Sequence, residues 1–341
     1  MMKISFIIPV YNCEPYLPDC VSGIRAVGAE DFEIILVDDG STDGSGAVCD
    51  ALAAQHPDIR VIHQVNAGAS AARNRGIREA MGCNILFLDA DDGIDPDALR
   101  EVLADPRCDQ SDLTIFGMTF DYYKKGKCYR RDPLFFEAGG ILPRHQWGDA
   151  FAELYAKNAL SPVWNKVFKR DILLRNNLEF NKSMFLYEDF EFVLRYMQHC
   201  DQIWNVPKAI YHYRQSEDEG NAKRRLARID SIPVFLEPIE AALAGLKNAN
   251  PAISQDAENR VLQQLYLCLA REKISTSRWD GIRQICREFV QWSEKRNLPL
   301  EPSEFQRNLM EEKALHLLLA DKKSALRHKA AVWVKSRLYK V

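Results

Sequence analysis

The sequence predicts an α/β fold: a doubly wound open sheet, parallel in its first half and mixed in its second, followed by a mainly helical C-terminal domain. Two observations predict it. Between residues 4 and 104, short apolar runs alternate with helical stretches, as strands buried on both faces of a parallel sheet do. Past residue 215 the strand-like runs stop and helical spacing takes over.

Ile4 to Ile8 forms the first run, stopped by Pro9, and Phe32 to Val37 the second, stopped by Asp38-Asp39-Gly40. Ile59 to Ile62 is the third, and Ile85 to Leu88 the fourth, stopped by acids. Helices fit between them at 15–27, 44–55 and 68–81. Another is predicted at 96–104, where Asp95 supplies the N-cap and Pro96 the first turn. A strand at 113–120, a hairpin or loop at 121–131 and a strand at 163–168 follow. The helix predicted at 188–198 carries Phe190, Val193, Leu194 and Met197 on one face, and strands are expected at 203–206 and 209–213. Helical segments then cover 222–247, 253–275, 278–296 and 303–339, punctuated by Asn250-Pro251, Pro299 and Pro302. The expected domains are therefore 1–215 and 216–341.

A chain of 341 residues suits about two domains. Its 47% hydrophobic and 27% charged residues are those of an ordinary globular core. A formal charge of −3 argues against a nucleic-acid binder. No segment approaches the roughly eighteen apolar residues of a membrane span. The start, Met1 to Val10, lacks a cleavage site and suits a first strand. Nine cysteines, an odd number without a C-x-x-C pair, point to a reducing cytoplasm and away from a disulfide framework or a zinc site.

In open α/β sheets ligands bind beyond the carboxyl ends of the strands, so the polar residues there matter most. The run Val37-Asp-Asp-Gly-Ser-Thr-Asp43 places adjacent carboxylates at one strand end. A turn and a helix cap explain Gly40 and Ser41, but not the two acids. In Leu88-Asp-Ala-Asp-Asp92, carboxylates at i and i+2 suit a hard cation such as Mg²⁺ or Mn²⁺ that keeps positions open for phosphate. Glycine-rich phosphate cradles are missing: Gly44-Ser45-Gly46 begins a dinucleotide fingerprint, but Cys49 stands where its third glycine belongs. Acids with a bridging cation are the remaining way for this edge to hold phosphates.

Those two acidic runs, with Phe6-Ile-Ile-Pro-Val-Tyr-Asn12 and Gly68-Ala-Ser-Ala-Ala-Arg-Asn-Arg-Gly76, occur in an order that resembles the family 2 glycosyltransferases of GT-A fold. The resemblance is dense over the first 95 residues or so. It continues more loosely through Trp164-Asn165-Lys166 and Tyr187-Glu188-Asp189 to about 215. It implies an inverting transferase that uses a nucleotide-sugar donor, a UDP-sugar above all, with Mn²⁺ or Mg²⁺ as cofactor. The implied acceptor is a hydroxyl of a glycan or lipid-linked glycan, in surface polysaccharide synthesis of the bacterial type.

By the same resemblance, Pro9, Val10 and Tyr11 would line the base pocket. Asp38 and Asp39 would hold base and ribose, with Arg73 near the nucleotide. Asp89 would approach ribose and metal, and Asp91 would be the principal metal ligand. Lys166 would face phosphate or acceptor, Arg214 would stabilise the leaving diphosphate, and His212 is a further candidate ligand. Asp189 matches the family's base, with Glu188 its rival. Such a base should stand away from Asp89 and Asp91, kept ionised by its helix N-terminus.

Two other classes compete. A sugar nucleotidyltransferase would show a Gly- and Arg-rich loop where Pro9-Val10-Tyr11-Asn12 stands. A non-catalytic nucleotide-sugar-binding relative would lack one of Asp89, Asp91 and Asp189, all of which are present. The tail 322–341, with seven Lys or Arg and no acid, is a candidate contact for an anionic membrane surface at the cytoplasmic face.

Overall fold

The computed structural model describes residues 3–29, 31–135, 139–216, 229–276 and 279–296. Its sheet begins with β1 (Ile4–Val10), β2 (Phe32–Asp38), β3 (Ile59–His63) and β4 (Asn84–Phe87). β1 pairs in parallel with β2 on one side and with β4 on the other. The chain therefore winds outward through β2 and β3, then returns across β1 to β4. That reversal opens a crevice beyond the carboxyl ends of β1 and β4, where ligands of such sheets bind.

The helices between these strands are α1 (Leu17–Ala26), α2 (Ser45–Gln55) and α3 (Ala69–Glu79). Alternation along β1 decides what each face meets. Ile4, Phe6, Ile8 and Val10 join a core with Leu17, Cys20, Val21 and Ile24 of α1. Leu99, Val102 and Leu103 of α4 (Pro96–Ala104) complete that layer. Ile7 faces the other way, toward α3. There Gly76 lets the helix approach so closely that an added Cβ would lie 2.3 Å from Ile7 Cγ2. Asp95 caps α4 as expected, accepting from Ala98 N at 3.0 Å.

β5 (Gly93–Ile94) directly precedes α4, and beyond α4 come α5 (Pro106–Gln110), β6 (Leu113–Lys124), β7 (Lys127–Leu134), β8 (Gly140–Pro143) and α6 (Trp147–Ala156). Then follow β9 (Lys166–Lys169), α7 (Arg170–Arg175), α8 (Glu188–Met197) and β10 (Gln202–Ser216). The sheet order is β3-β2-β1-β4-β9-β6-β10-β5, with β7 on β6 and β8 on β10. The stretch 121–131 is a hairpin: Lys125 and Gly126 turn it with φ of 50° and 74°. The two strands expected at 203–206 and 209–213 are one strand, β10. It runs parallel to β6 and absorbs Pro207, which has no N–H to give, in register shifts between Val206 and Tyr211.

The chain divides into two compact units, Met1–Asp218 with Ala241–Glu258, and Glu219–Glu240 with Asn259–Val341. Helices α9 (Ile232–Ala249), α10 (Gln255–Thr276) and α11 (Trp279–Lys295) agree with the helical spacing read there. In the first unit Arg144 donates to the carbonyls of Cys200 and Ala249, at 2.7 and 3.0 Å, and pins that return. In the second, Tyr266, Phe289 and Trp292 pack ring on ring, and Trp292 Nε1 donates to Glu240 at 2.7 Å. The helix expected at 303–339 and the basic tail lie outside the described residues. No described helix is long and apolar enough to cross a membrane.

Candidate active site

The loops after β1 and β2 are stitched together by side chains. Asn12, at φ 53°, accepts from Thr42 N at 2.8 Å, and Cys13 N donates to Ser45 Oγ at 2.9 Å. Glu14 accepts from Gly44 N at 3.0 Å. Asp38 lies at this seam, buried, with Ser41 N at 3.0 Å on one oxygen and His63 Nδ1 at 2.8 Å on the other. Burial opposes its ionisation, but those hydrogen bonds outweigh it and hold the Asp38 carboxyl below its ordinary value. Asp39 is also buried and takes donors from Gln64 Nε2, Ala67 N and Gly68 N at 2.7 to 2.9 Å. Both acids thus shape the rim of the crevice.

Of the three residues expected around a base, Tyr11 is 51% exposed on that rim and Pro9 is partly buried. Val10 is a correction. Its side chain is fully buried among the α1 and α4 residues, because strand alternation turns it inward.

At the end of β4 the geometry tightens. Arg73 reaches from α3 and divides its guanidinium: Nη2 donates to Asp89 at 2.7 Å and Nη1 to Asp189 at 3.0 Å. Burial works against its charge, while Asp189, Asp89 and Glu188 hold it protonated. This corrects one expectation. Arg73 is held by two protein carboxylates, one of them Asp89 of the nucleotide-side turn, and Asp189 is tied through it to Asp89 instead of standing apart.

Asp189 sits in the first turn of α8, which Tyr187 enters with left-handed φ of 57°. Such a conformation at a bulky residue is costly and marks a place where the surroundings dictate the backbone. Burial pushes the Asp189 carboxyl up to about 7, with Arg73 opposing and Glu188 and Asp89 adding to the rise. Burial thus works against the ionised form that the helix N-terminus was expected to favour. Glu188 is partly buried beside it.

Asp91 opens onto a cavity of about 380 Å³ whose walls include Tyr16, Asp121, Tyr123, Arg131, His212 and Arg214. Arg214 Nε donates to Asp91 O at 3.1 Å, and its guanidinium lies 3.7 Å from the Tyr123 ring centre. His212 Nδ1 lies 3.4 Å from Asp121 Oδ2.

The acid behind Asp91 organises this wall. Asp92 accepts from Tyr211 OH at 2.6 Å and from Arg214 N at 2.7 Å, and Tyr211 OH also accepts from Asp89 N at 3.2 Å. Burial, then Asp89 and Asp91, push the Asp92 carboxyl well above the usual carboxylate range. Asp92 and Tyr211 were not among the expected site residues. Their signals were present, a third acid in the run and a tyrosine before His212, but nothing in sequence says that they meet.

Among the described residues no three His, Cys, Asp or Glu side chains form a closed metal cage. A magnesium-type ion does not need one, since it takes one or two carboxylates and completes its shell with phosphate and water. Asp91 on the cavity wall, within an acidic turn crowded enough to raise Asp92, has that donor chemistry. Asp89 is the poorer ligand because Arg73 holds one of its oxygens.

Lys166 is the remaining correction. It is fully buried, and its amine donates to Ala159 O, Pro162 O and Asn165 Oδ1 at 2.5 to 2.7 Å. Burial pushes it well below its ordinary value. All three donors are used inside the protein, so it faces neither phosphate nor acceptor. Its neighbour Trp164 stacks on Tyr211 and Tyr213, with ring centres 4.0 and 5.4 Å apart, and backs the cavity wall.

A doubly wound sheet with acids at its switch point and a carboxylate facing them from a later helix defines a GT-A-type α/β domain. Residues 5–173 match the model of glycosyl transferase family 2. The chain carries that family's domain, and the resemblance read from its motifs holds. The uncharacterized glycosyltransferase EpsJ of Bacillus subtilis is 31% identical over 214 residues, which are 62% of this chain and 61% of that protein. The minor teichoic acid biosynthesis protein GgaB of Bacillus subtilis is 30% identical over 228 residues, 64% of this chain and 23% of that one. The chain thus spans about three-fifths of the first relative and under a quarter of the second. TarS of S. aureus, residues 1–349 solved with UDP-GlcNAc, shares the fold with a TM-score of 0.61 at 21% identity. That likeness covers 97% of this chain and 88% of that one.

Proposed function

We propose that the protein is an inverting glycosyltransferase that moves a sugar from a nucleoside diphosphate to a hydroxyl of a glycan or lipid-linked acceptor. One observation carries this reading: an acid of the nucleotide-side turn, Asp89, and a carboxylate from the later helix α8, Asp189, are gathered at one site through a single buried arginine. A one-step displacement at an anomeric carbon needs acids on the donor side and a carboxylate base for the acceptor hydroxyl within one site. A UDP-sugar is the proposed donor, supported by the fold shared with TarS, which was solved with UDP-GlcNAc. A surface-polymer acceptor is supported by the name of GgaB.

In this reading Asp189 takes the proton of the acceptor hydroxyl, and the titration near neutrality that burial gives it suits a general base. Asp91, with Asp89 beside it, would hold a divalent cation. When bound, Mn²⁺ or Mg²⁺ offsets charge that develops on the leaving diphosphate. Arg214 would orient the diphosphate from the cavity wall. Asp38, Asp39 and Tyr11 shape the rim where the nucleoside would lie. No double displacement is invoked, so the anomeric configuration inverts.

The test is a panel of nucleotide sugars, assayed for nucleoside diphosphate release with and without Mn²⁺. Release from a UDP-sugar, with the transferred linkage opposite in configuration to the donor, is expected. A panel in which no nucleotide sugar binds or turns over overturns the reading.

A further inference from the structure

We propose that Arg73 is the positioning residue of the transfer reaction, holding the acceptor-side carboxylate Asp189 in a fixed place relative to the donor-side carboxylate Asp89. The inference rests on Asp189 being the base. Arg73 is buried, and each terminal nitrogen is committed to one acid, at 2.7 Å to Asp89 and 3.0 Å to Asp189. Its Nε is buried with no hydrogen-bond partner. The guanidinium is therefore placed by the two carboxylates it joins. A planar fork can span two acids at once, which a lysine's point charge does less well.

The helix that supplies Arg73 also fixes the chain leading to Asp189. Asn74 Nδ2 donates to Phe180 O at 2.9 Å, and Phe180 N donates back to Asn74 Oδ1 at 2.7 Å. Phe180 stacks flat on Phe192 of α8, ring centres 3.9 Å apart, and meets Phe87 of β4 edge-on at 5.4 Å. Backbone, ring and guanidinium thus register α8 against the end of β4 from three successive levels. The charged groups around Asp189 are Arg73 from α3, Glu188 from its own helix, Asp89 from the β4 turn and Lys166 from β9. Of these four, Arg73 is the one hydrogen-bonded to it. The stretch Ala72-Arg73-Asn74 is in this view a brace between the two halves of the site, where sequence reading had made Arg73 a nucleotide contact.

The experiment compares full-length wild type with Arg73→Lys, Arg73→Met and Asp189→Asn. Donor turnover is followed across pH with Mn²⁺ and the best UDP-sugar of the panel. In parallel, the Asp189 carboxyl is titrated by ¹³C NMR in protein without donor or cation, assigned by its loss in Asp189→Asn. Arg73→Met should lower kcat by about a hundredfold, the usual cost of a misplaced group, with donor KM nearly unchanged. Both the acid limb of kcat and the NMR midpoint should move to higher pH, and Arg73→Lys should fall between. A rise in donor KM alone, with kcat and both midpoints unmoved, makes Arg73 a nucleotide contact and overturns the proposal. So does a loss of kcat without any shift of the midpoints. If circular dichroism shows Arg73→Met unfolded, Arg73→Lys decides by the same readings. Asp189→Asn with normal turnover removes the base assignment and this proposal with it; the other failures leave Asp189→Asn inactive, so the two are distinguishable.

Discussion

At the scale of single residues, the site separates its acids by what holds them. Asp89 and Asp189 share one guanidinium, Asp92 is fixed by Tyr211 and Arg214, and Asp91 faces the cavity. Asp91→Asn, which keeps the side chain's size and removes its charge from the cavity wall, should weaken both Mn²⁺ and donor binding, as isothermal titration would show. Full activity in excess chelator would contradict the cation's part. Asp189→Asn should leave donor affinity nearly unchanged and lower turnover by roughly 10²–10⁴-fold, the range for lost base catalysis.

The pH dependence has a definite sign. Burial lifts the folded carboxyl of Asp189 to about 7, above its ordinary value. The native state then binds the proton more readily than the unfolded chain. Its contribution to stability is full below the unfolded value and is lost as pH rises through about 7. Turnover runs the other way, because the base must be ionised, so kcat should climb through the same window. If Glu188→Gln abolishes turnover while Asp189→Asn keeps it, the base is the neighbouring residue.

At the scale of elements, α3 does more than cross from β3 to β4. It carries Arg73 and Asn74 to the site while Gly76 seats it on β1. Gly76→Ala places a Cβ 2.3 Å from Ile7 Cγ2, so the Ile7 side chain or the helix must shift. Overpacking of this kind costs about 1–3 kcal/mol. Urea denaturation should show that loss, and turnover in the folded fraction should fall as well where the helix gives way, since Arg73 moves with it. A variant with wild-type stability and turnover would show that α3 has room to spare.

The strands and the first three helices were legible because buried parallel strands are continuous apolar runs ending at functional turns, as at Val37-Asp38 and Leu88-Asp89. What was not legible was contact across the chain. Arg73 lies 116 residues from Asp189, and Asp92 lies 119 from Tyr211. No local period encodes such pairs. Lys166 misled for a related reason: a lysine in a motif suggests an exposed cation, while here three buried acceptors at 159, 162 and 165 use its amine.

At the scale of the whole molecule, the place where the proposed acceptor is met turns on charge. The first unit offers the crevice, and the second, helical in its described residues, includes a tail that lies outside them. That tail has a bias of its own: seven Lys or Arg and no acid from 322 to 341, against a net charge of −3 for the entire chain. On a helical wheel Leu326, Ala330, Trp333, Val334, Leu338 and Val341 share one side, with Arg337 among them. Basic residues near anionic lipid contribute about 1 kcal/mol each, and Trp suits the interface between lipid and water. Full-length protein should therefore co-sediment with vesicles containing phosphatidylserine, less so with neutral ones, and release as salt rises. A variant with the seven basic residues changed to Gln should lose that binding while keeping donor turnover, because the site residues all precede position 215. Equal and negligible sedimentation of both proteins would remove the membrane contact and leave a soluble glycan as the better acceptor. Binding that survives the seven changes would place the lipid contact elsewhere on the chain.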